Sequence, residues 1–210
     1  MAEHVFDTVS SETVYTGAIF ALRADEVRMP GGNTARREVI EHYGAVAVAA
    51  LDDEDNIVLV YQYRHALGRR LWELPAGLLD LHGEPPHQTA ARELAEETGL
   101  AARDWAVLID LDSTPGFTDE SVRVYLATGL TEVTRPESDD EEADMEVVRV
   151  PLAEAVRRVF AGEIVNATAV AGILAAHAVR SGVAQTRPVD ADWADRPHRF
   201  AERKRQAATT

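Results

Sequence analysis

The sequence contains no cysteine. That absence removes disulfides, thiolate metal centres and a cysteine nucleophile together, so any metal must rest on carboxylates or histidines, and hard cations such as Mg²⁺ or Mn²⁺ lead. No apolar run approaches the roughly 20 residues that span a bilayer. The first ten residues, Met1 to Ser10, have neither a basic start nor an apolar stretch, so the expected location is cytoplasmic. Positive charge is also scarce: 21 Lys and Arg face 36 Asp and Glu, leaving a net charge of −15. Long nucleic acids and anionic membranes both bind through neutralised phosphates and are disfavoured as partners. A small anionic substrate remains compatible with this field, provided that local arginines or metal ions offset it.

What is present describes a globular chain. Of 210 residues, 46% are hydrophobic and 27% charged, enough for one soluble domain with a core of about 150 to 170 residues and an extra element at one end. From Thr13 to Tyr43, short alternating segments flank the turn signal Met29-Pro30-Gly31-Gly32-Asn33, which predicts a hairpin-rich N-terminal piece. Ala45–Ala50 and Ile57–Gln62 are apolar, β-prone runs on either side of the polar Asp52–Asn56, and their spacing predicts a hairpin. Pro86–Thr98 reads as a helix, with proline in its first turn and Gly99 just past its end. Strands are expected at Ala106–Leu111, Val122–Ala127 and Val147–Val150, then helices at Pro151–Ala161 and Ala167–Arg180. Beyond Ser181 the chain turns polar and reads as a partly ordered tail. Strands mixed with helices after an all-β start predict an α/β sandwich rather than a doubly wound sheet.

The chemistry concentrates in one helix. Glu93, Glu96 and Glu97 stand at i, i+3 and i+4, so their carboxylates share a face while Ala90 and Leu94 point to another. Three bare glutamates on a helix are ordinarily a solvated face, with Arg92 and Glu96 paired at i, i+4. The glycines and prolines around them, Gly77, Gly83, Pro75, Pro85, Pro86 and Gly99, fix a tight loop, helix and loop that a solvated face does not need. One or two divalent cations would turn the mutual repulsion into attraction.

Gly77, Glu84, Arg92, Glu93, Leu94, Glu96, Glu97, Gly99 and Leu100 resemble the signature of the Nudix hydrolases, with six residues rather than five between Gly77 and Glu84. The resemblance implies a Nudix-type α/β/α sandwich with a mixed sheet, preceded by an N-terminal β-rich subdomain. It implies metal ligands at Glu93, Glu97 and the Ala76 carbonyl, with Glu96 additional or bridging, and orienting roles for Glu84 and Arg92. Outside that box, Arg36-Arg37-Glu38, Tyr61-Gln62-Tyr63-Arg64, Trp72–Gly77 and Thr114–Glu120 resemble the ADP-ribose pyrophosphatase branch, over roughly residues 13 to 180.

That branch implies substrate contacts at Arg37, Arg64, Gly116 and Glu120, and a forked guanidinium suits diphosphate oxygens. Its aromatic adenine contact has no counterpart after Gly17, where Ala18 and Ile19 stand. Relatives carry a catalytic glutamate on a loop before the strand at Val147–Val150. Within the acidic run Glu137–Glu146 the matching residue is Glu142, with Glu141 as its substitute.

The expected organisation is a β-rich dimerisation subdomain at 1–43, a Nudix hydrolase domain at 44–182 and a polar tail at 183–210. The expected activity is hydrolysis of ADP-ribose to AMP and ribose 5-phosphate with Mg²⁺ or Mn²⁺, by a homodimer with shared active sites. Other nucleoside diphosphate sugars or oxidised nucleoside diphosphates are the enzymatic alternative, and a non-hydrolytic ADP-ribose sensor is the alternative from a different class.

Overall fold

The computed structural model describes residues 5–135 and 144–208. In chain order the elements are β1 (Thr8–Thr16), β2 (Phe20–Arg28), β3 (Thr34–His42), β4 (Ala45–Ala50), β5 (Asn56–Arg64), β6 (Arg69–Glu73), β7 (Ala76–Leu78), α1 (Pro86–Thr98), β8 (Leu100–Asp112), β9 (Ser121–Glu132), β10 (Glu146–Pro151), α2 (Leu152–Phe160), α3 (Ala167–Arg180) and α4 (Arg199–Ala208). None of the described helices is long and apolar enough to cross a membrane. They belong to two compact units, one drawn from Met1–Gly44, Asp112–Ser121 and Asp195–Thr210, the other from Ala45–Leu111 and Val122–Ala194.

In the first unit, β1, β2 and β3 form an antiparallel sheet in that order. The turn expected at Met29–Asn33 joins β2 to β3: Met29 N–H donates to Asn33 O, and Gly32 takes a φ of +86° that favours glycine. The loop carrying Gly116 lies along β3, where Ile40 N–H donates to Phe117 O and Asp119 N–H donates to Ile40 O. Where composition suggested a polar tail, Arg199–Ala208 is a helix packed on β3. Phe200 is fully buried edge-on against Tyr43, and Arg203 reaches the buried Glu41 with Nε and Nη2 at 2.8 Å. A buried aromatic and an ion pair anchor a segment that is otherwise mostly polar, and composition averages that signal away.

The second unit is mixed α/β. A four-stranded sheet runs β7-β4-β9-β8, with β4 parallel to β9 and antiparallel to β7, and a three-stranded sheet runs β10-β5-β6. The apolar run of β4 follows from burial on both faces. Val46, Val48 and Ala50 pack with Ala90 and Leu94 of α1. Ala47, Ala49 and Leu51 pack with Leu152, Ala155, Ile173 and Ala176 of α2 and α3. Gly172 of α3 permits close approach to the sheet, since a Cβ there would meet Leu74 Cδ1 at 2.5 Å.

The hairpin expected between β4 and β5 is corrected. The two strands lie in different sheets and share only the bridge Leu51–Ile57 across the turn. Each is apolar enough to be central in its own sheet, and β5 takes β10 and β6 as neighbours instead. The helices at 86–98 and 167–180 match their expected bounds, and Asn166 caps the latter by accepting the Ala169 N–H at 2.9 Å.

Candidate active site

The site of the second unit is built where β7 meets α1. Pro85 leads into the helix, and Gly99 ends it at φ +70°, its N–H donating to Ala95 O. Between them the chain turns its apolar side, Ala90 and Leu94, to the core and its carboxylates toward β7. The preceding loop is tied back by Glu84, which accepts Thr89 Oγ1 at 2.8 Å and Arg92 Nε and Nη2 at 3.3 and 3.2 Å. These bonds, Arg92's above all, hold the Glu84 carboxyl below its ordinary pKa against the opposing effect of burial.

Arg92 is the hub. Its Nη1 donates to Glu93 Oε1 at 2.7 Å and Glu96 Oε2 at 2.9 Å while the other edge holds Glu84. Burial lowers the guanidinium pKa, but the bonds to Glu84 and the charges of Glu93 and Glu96 outweigh it and raise the value overall. Glu97 is buried, and its Oε2 accepts the Ala76 N–H at 3.0 Å, fastening α1 to β7. Glu93 lies over Gly77 so closely that a Cβ there would fall 2.0 Å from Glu93 Cδ. The signature glycine is therefore the space that a carboxylate occupies. The backbone of Glu96 is held as well, its carbonyl accepting Arg135 Nε at 2.9 Å.

Ala76, Glu93, Glu96 and Glu97 offer oxygen donors only, the set that Mg²⁺ and Mn²⁺ prefer, and in this respect they fit such an ion. Among the described residues, however, no three His or carboxylate side chains converge as they would around a cation. Arg92 stands between Glu93 and Glu96, supplying the positive charge that their proximity requires.

Arg64 ends β5, and its Nε and Nη2 donate to Glu73 Oε1 and Oε2 at 3.0 and 2.6 Å. Glu73, at the end of β6, is buried and also accepts Gln62 Nε2 at 3.3 Å. Sequence reasoning gave no role to Glu73, Gln62 or Thr89, although the first two lie in the quoted stretches Trp72–Gly77 and Tyr61–Arg64. Gln62 and Arg64 point to one face of β5 by their spacing of two, a signal that was available; the partner strand's register was not.

Arg37, Gly116 and Glu120 belong to the first unit. Arg37 is exposed on β3, its Nη1 donating to Arg36 O at 3.1 Å. Gly116 occupies the turn closed by Phe117 N–H to Thr114 O, with open space where a Cβ would stand. Glu120 Oε1 lies 3.6 Å from His42 Nδ1, and neighbouring Asp119 accepts the His42 backbone N–H at 2.8 Å. Burial pushes the Asp119 carboxyl up, a shift that this bond opposes and Glu41 reinforces. Glu141 and Glu142 lie outside the described residues. Just beyond them, Arg70 of β6 pairs with Asp144, whose carbonyl also accepts Arg70 Nη1 at 2.8 Å.

A carboxylate helix locked to a strand by a buried glutamate, on a mixed sheet covered by helices, defines an α/β class of protein with its oxygen donors gathered on one helix. Residues 40–169 match the NUDIX domain, and residues 6–40 match the nucleoside diphosphate sugar hydrolase N-terminal domain; the chain belongs to the Nudix family. It is 68% identical over 204 residues to the ADP-ribose pyrophosphatase of Mycobacterium tuberculosis, covering 97% of this chain and 99% of that one. It is 39% identical over 160 residues to the ADP-ribose pyrophosphatase of Bacillus subtilis, covering 76% of this chain and 86% of that one. A crystal structure of an ADP compounds hydrolase superposes with a TM-score of 0.73 at 21% identity, over 88% of this chain and all of that one, a likeness of fold.

Proposed function

We propose that this protein is an ADP-ribose diphosphatase that hydrolyses ADP-ribose to AMP and ribose 5-phosphate with Mg²⁺ or Mn²⁺. The observation that carries the reading is near-full-length identity of 68% to an ADP-ribose pyrophosphatase, together with an intact Glu84, Arg92, Glu93, Glu96 and Glu97 network. The Ala76 carbonyl, Glu93 and Glu97 would hold the ion, with Glu96 as a further ligand. When bound, the ion supplies charge against the diphosphate and lowers the pKa of the attacking water. Glu142, or Glu141 in its place, orients that water and takes its proton. Arg64 and Arg37 grip the diphosphate, while Gly116 and Glu120 form the loop that receives the terminal ribose. Glu84 and Arg92 keep the loop and the ligand carboxylates in place.

The match of residues 6–40 to a nucleoside diphosphate sugar hydrolase domain supports a second reading, in which other nucleoside diphosphate sugars are also cleaved. A panel of diphosphate compounds with Mg²⁺ or Mn²⁺ separates the two: ADP-ribose should give the highest kcat/KM. A different nucleotide sugar at least tenfold better would replace the main substrate, and binding without turnover would make the protein a sensor.

The working form is a cytoplasmic homodimer, with no nucleic acid or membrane partner. Exposed Val9, Val14 and Tyr15 on β1 support this, because a three-stranded sheet gains stability by covering such a surface. Arg37 of one chain serves the site of the other. Mixing Arg37→Ala with Glu93→Gln under exchange should restore up to about a quarter of wild-type activity, since half the dimers are mixed and each forms one intact site. No recovery despite proven exchange would assign Arg37 to its own chain.

A further inference from the structure

The pair formed by Glu73 and Arg64 joins a buried carboxylate to a half-exposed guanidinium. The Glu73 side chain is 4% exposed while that of Arg64 is 42% exposed. A carboxylate taken so far out of water must be paired and hydrogen-bonded, and this one is: both oxygens accept from Arg64, and Gln62 Nε2 donates to Oε2. Two near-parallel bonds through Nε and Nη2 set the guanidinium plane as well as its position. A single bond would leave the plane to rotate. Glu73 is in turn fixed by the chain. It pairs with Val60 in the β5–β6 ladder and stands three residues before Ala76, whose N–H is held by Glu97 of the carboxylate helix. One short segment, Glu73-Leu74-Pro75-Ala76, therefore links the arginine's clamp to the metal-side strand.

We propose that Glu73 is a positioning residue for the diphosphate, acting through Arg64. It holds the exposed guanidinium in one orientation, so that the substrate's phosphate oxygens meet a pre-set fork rather than a mobile side chain, and ordering cost at binding falls. The inference rests on the reading of the site as one for a nucleoside diphosphate sugar. It adds to that reading a buried residue that touches neither substrate nor ion.

Two measurements test it, and they fail separately. In the first, arginine side-chain NMR of the full chain without substrate should show Arg64 Nε–H protected from exchange and guanidinium rotation slowed in wild type. Both features should be lost in Glu73→Gln and partly kept in Glu73→Asp; an unchanged Arg64 signal in a folded Glu73→Gln protein overturns the clamp whatever the enzyme hydrolyses. The second is ADP-ribose kinetics with saturating Mg²⁺. Glu73→Gln should raise KM about tenfold with kcat within about threefold, Glu73→Asp should fall between, and in an Arg64→Ala background Glu73→Gln should add less than about twofold. An equal KM penalty in the presence and absence of Arg64, or a loss of kcat alone, overturns the positioning role. Should Glu73→Gln not fold, Gln62→Leu and Arg64→Lys carry the same comparison: Arg64→Lys keeps the charge but not the fork and should reproduce the KM increase. Absence of ADP-ribose turnover in wild type would instead remove the substrate reading and leave the NMR result to decide the clamp.

Discussion

Strands β4 and β1 are both β-prone, yet they occupy opposite environments. In β4, Val46 to Ala50 are inaccessible, with a helical layer's side chains on each face, whereas all nine residues of β1 are exposed on the edge of a three-stranded sheet. The two units therefore draw their stability from different sources. The second unit is held by apolar burial that needs nothing outside the chain, and it can therefore carry a helix loaded with carboxylates. The first unit has a thin sheet held by turns, by the Phe200 anchor and by the Arg23, Glu41 and Arg203 ion pairs. In the proposed homodimer its exposed β1 face would gain from a partner surface.

The largest effects should come from the chemistry that the buried unit supports. Glu142→Gln should lower turnover roughly 10²- to 10⁴-fold with substrate and metal binding retained, and Glu141→Gln should do less. The reverse ranking in steady-state assays would shift the assignment by one residue. Glu93→Gln and Glu97→Gln should each cost at least about 10² in turnover, with Mn²⁺ affinity by calorimetry falling in parallel and the circular dichroism unchanged. Gly77→Ala tests the same place without changing a ligand: the new Cβ must displace the Glu93 carboxylate, so Mn²⁺ binding should weaken while the protein stays folded.

Stability should separate the strands directly. Leu59→Ala, in the buried part of β5, should cost about 3 kcal/mol in urea unfolding, whereas Val9→Ser on β1 should cost less than about 0.5 kcal/mol in dilute protein. Val9→Ser should instead change the concentration dependence of sedimentation, and a large stability loss at nanomolar concentration would mean that β1 is covered within its own chain.

A smaller, pH-dependent effect belongs to Asp110. Burial raises its pKa, but hydrogen bonds from Arg123 and Arg187 prevail and hold it below the ordinary value. A depressed carboxylate pKa adds stability above the unfolded-state value and loses it as pH falls through the folded one. Asp110→Asn should therefore cost about 2 kcal/mol near neutral pH, where it leaves the buried Arg123 one partner short. The gap to wild type should close as the solution is acidified through and below the depressed folded-state pKa of Asp110, as thermal melts at several pH values can show. A gap independent of pH would assign the loss to packing.

Much of the carboxylate helix was legible because every cue for it is local. Pro86, Gly99 and the spacing of Glu93, Glu96 and Glu97 act within a few turns of chain, and the observed helix has the expected ends. The misplaced β4–β5 hairpin shows the limit. Two apolar strands around a polar turn satisfy every local rule for pairing, and only the competition among β7, β9, β6 and β10 for their edges decides otherwise. Glu73 was hidden for the same reason, since its meaning lies in a register across β5 and β6. Phe200 was hidden by its polar surroundings. Gly77 was legible as a signature position in the Nudix pattern, but that Glu93 fills the place of its side chain is a fact of three dimensions.

In the proposed reading, the helix from Pro86 to Thr98 makes this chain a metal-dependent ADP-ribose diphosphatase. That reading is tested most directly by following ADP-ribose by phosphorus NMR with wild type, Glu93→Gln and Glu97→Gln protein, each with Mg²⁺ and again with chelator. Wild type with Mg²⁺ alone should give equimolar AMP and ribose 5-phosphate, either variant should release them at least about 10²-fold more slowly, and none should appear with chelator. Intact substrate after prolonged incubation with the wild type, or wild-type rates from both variants, would contradict it.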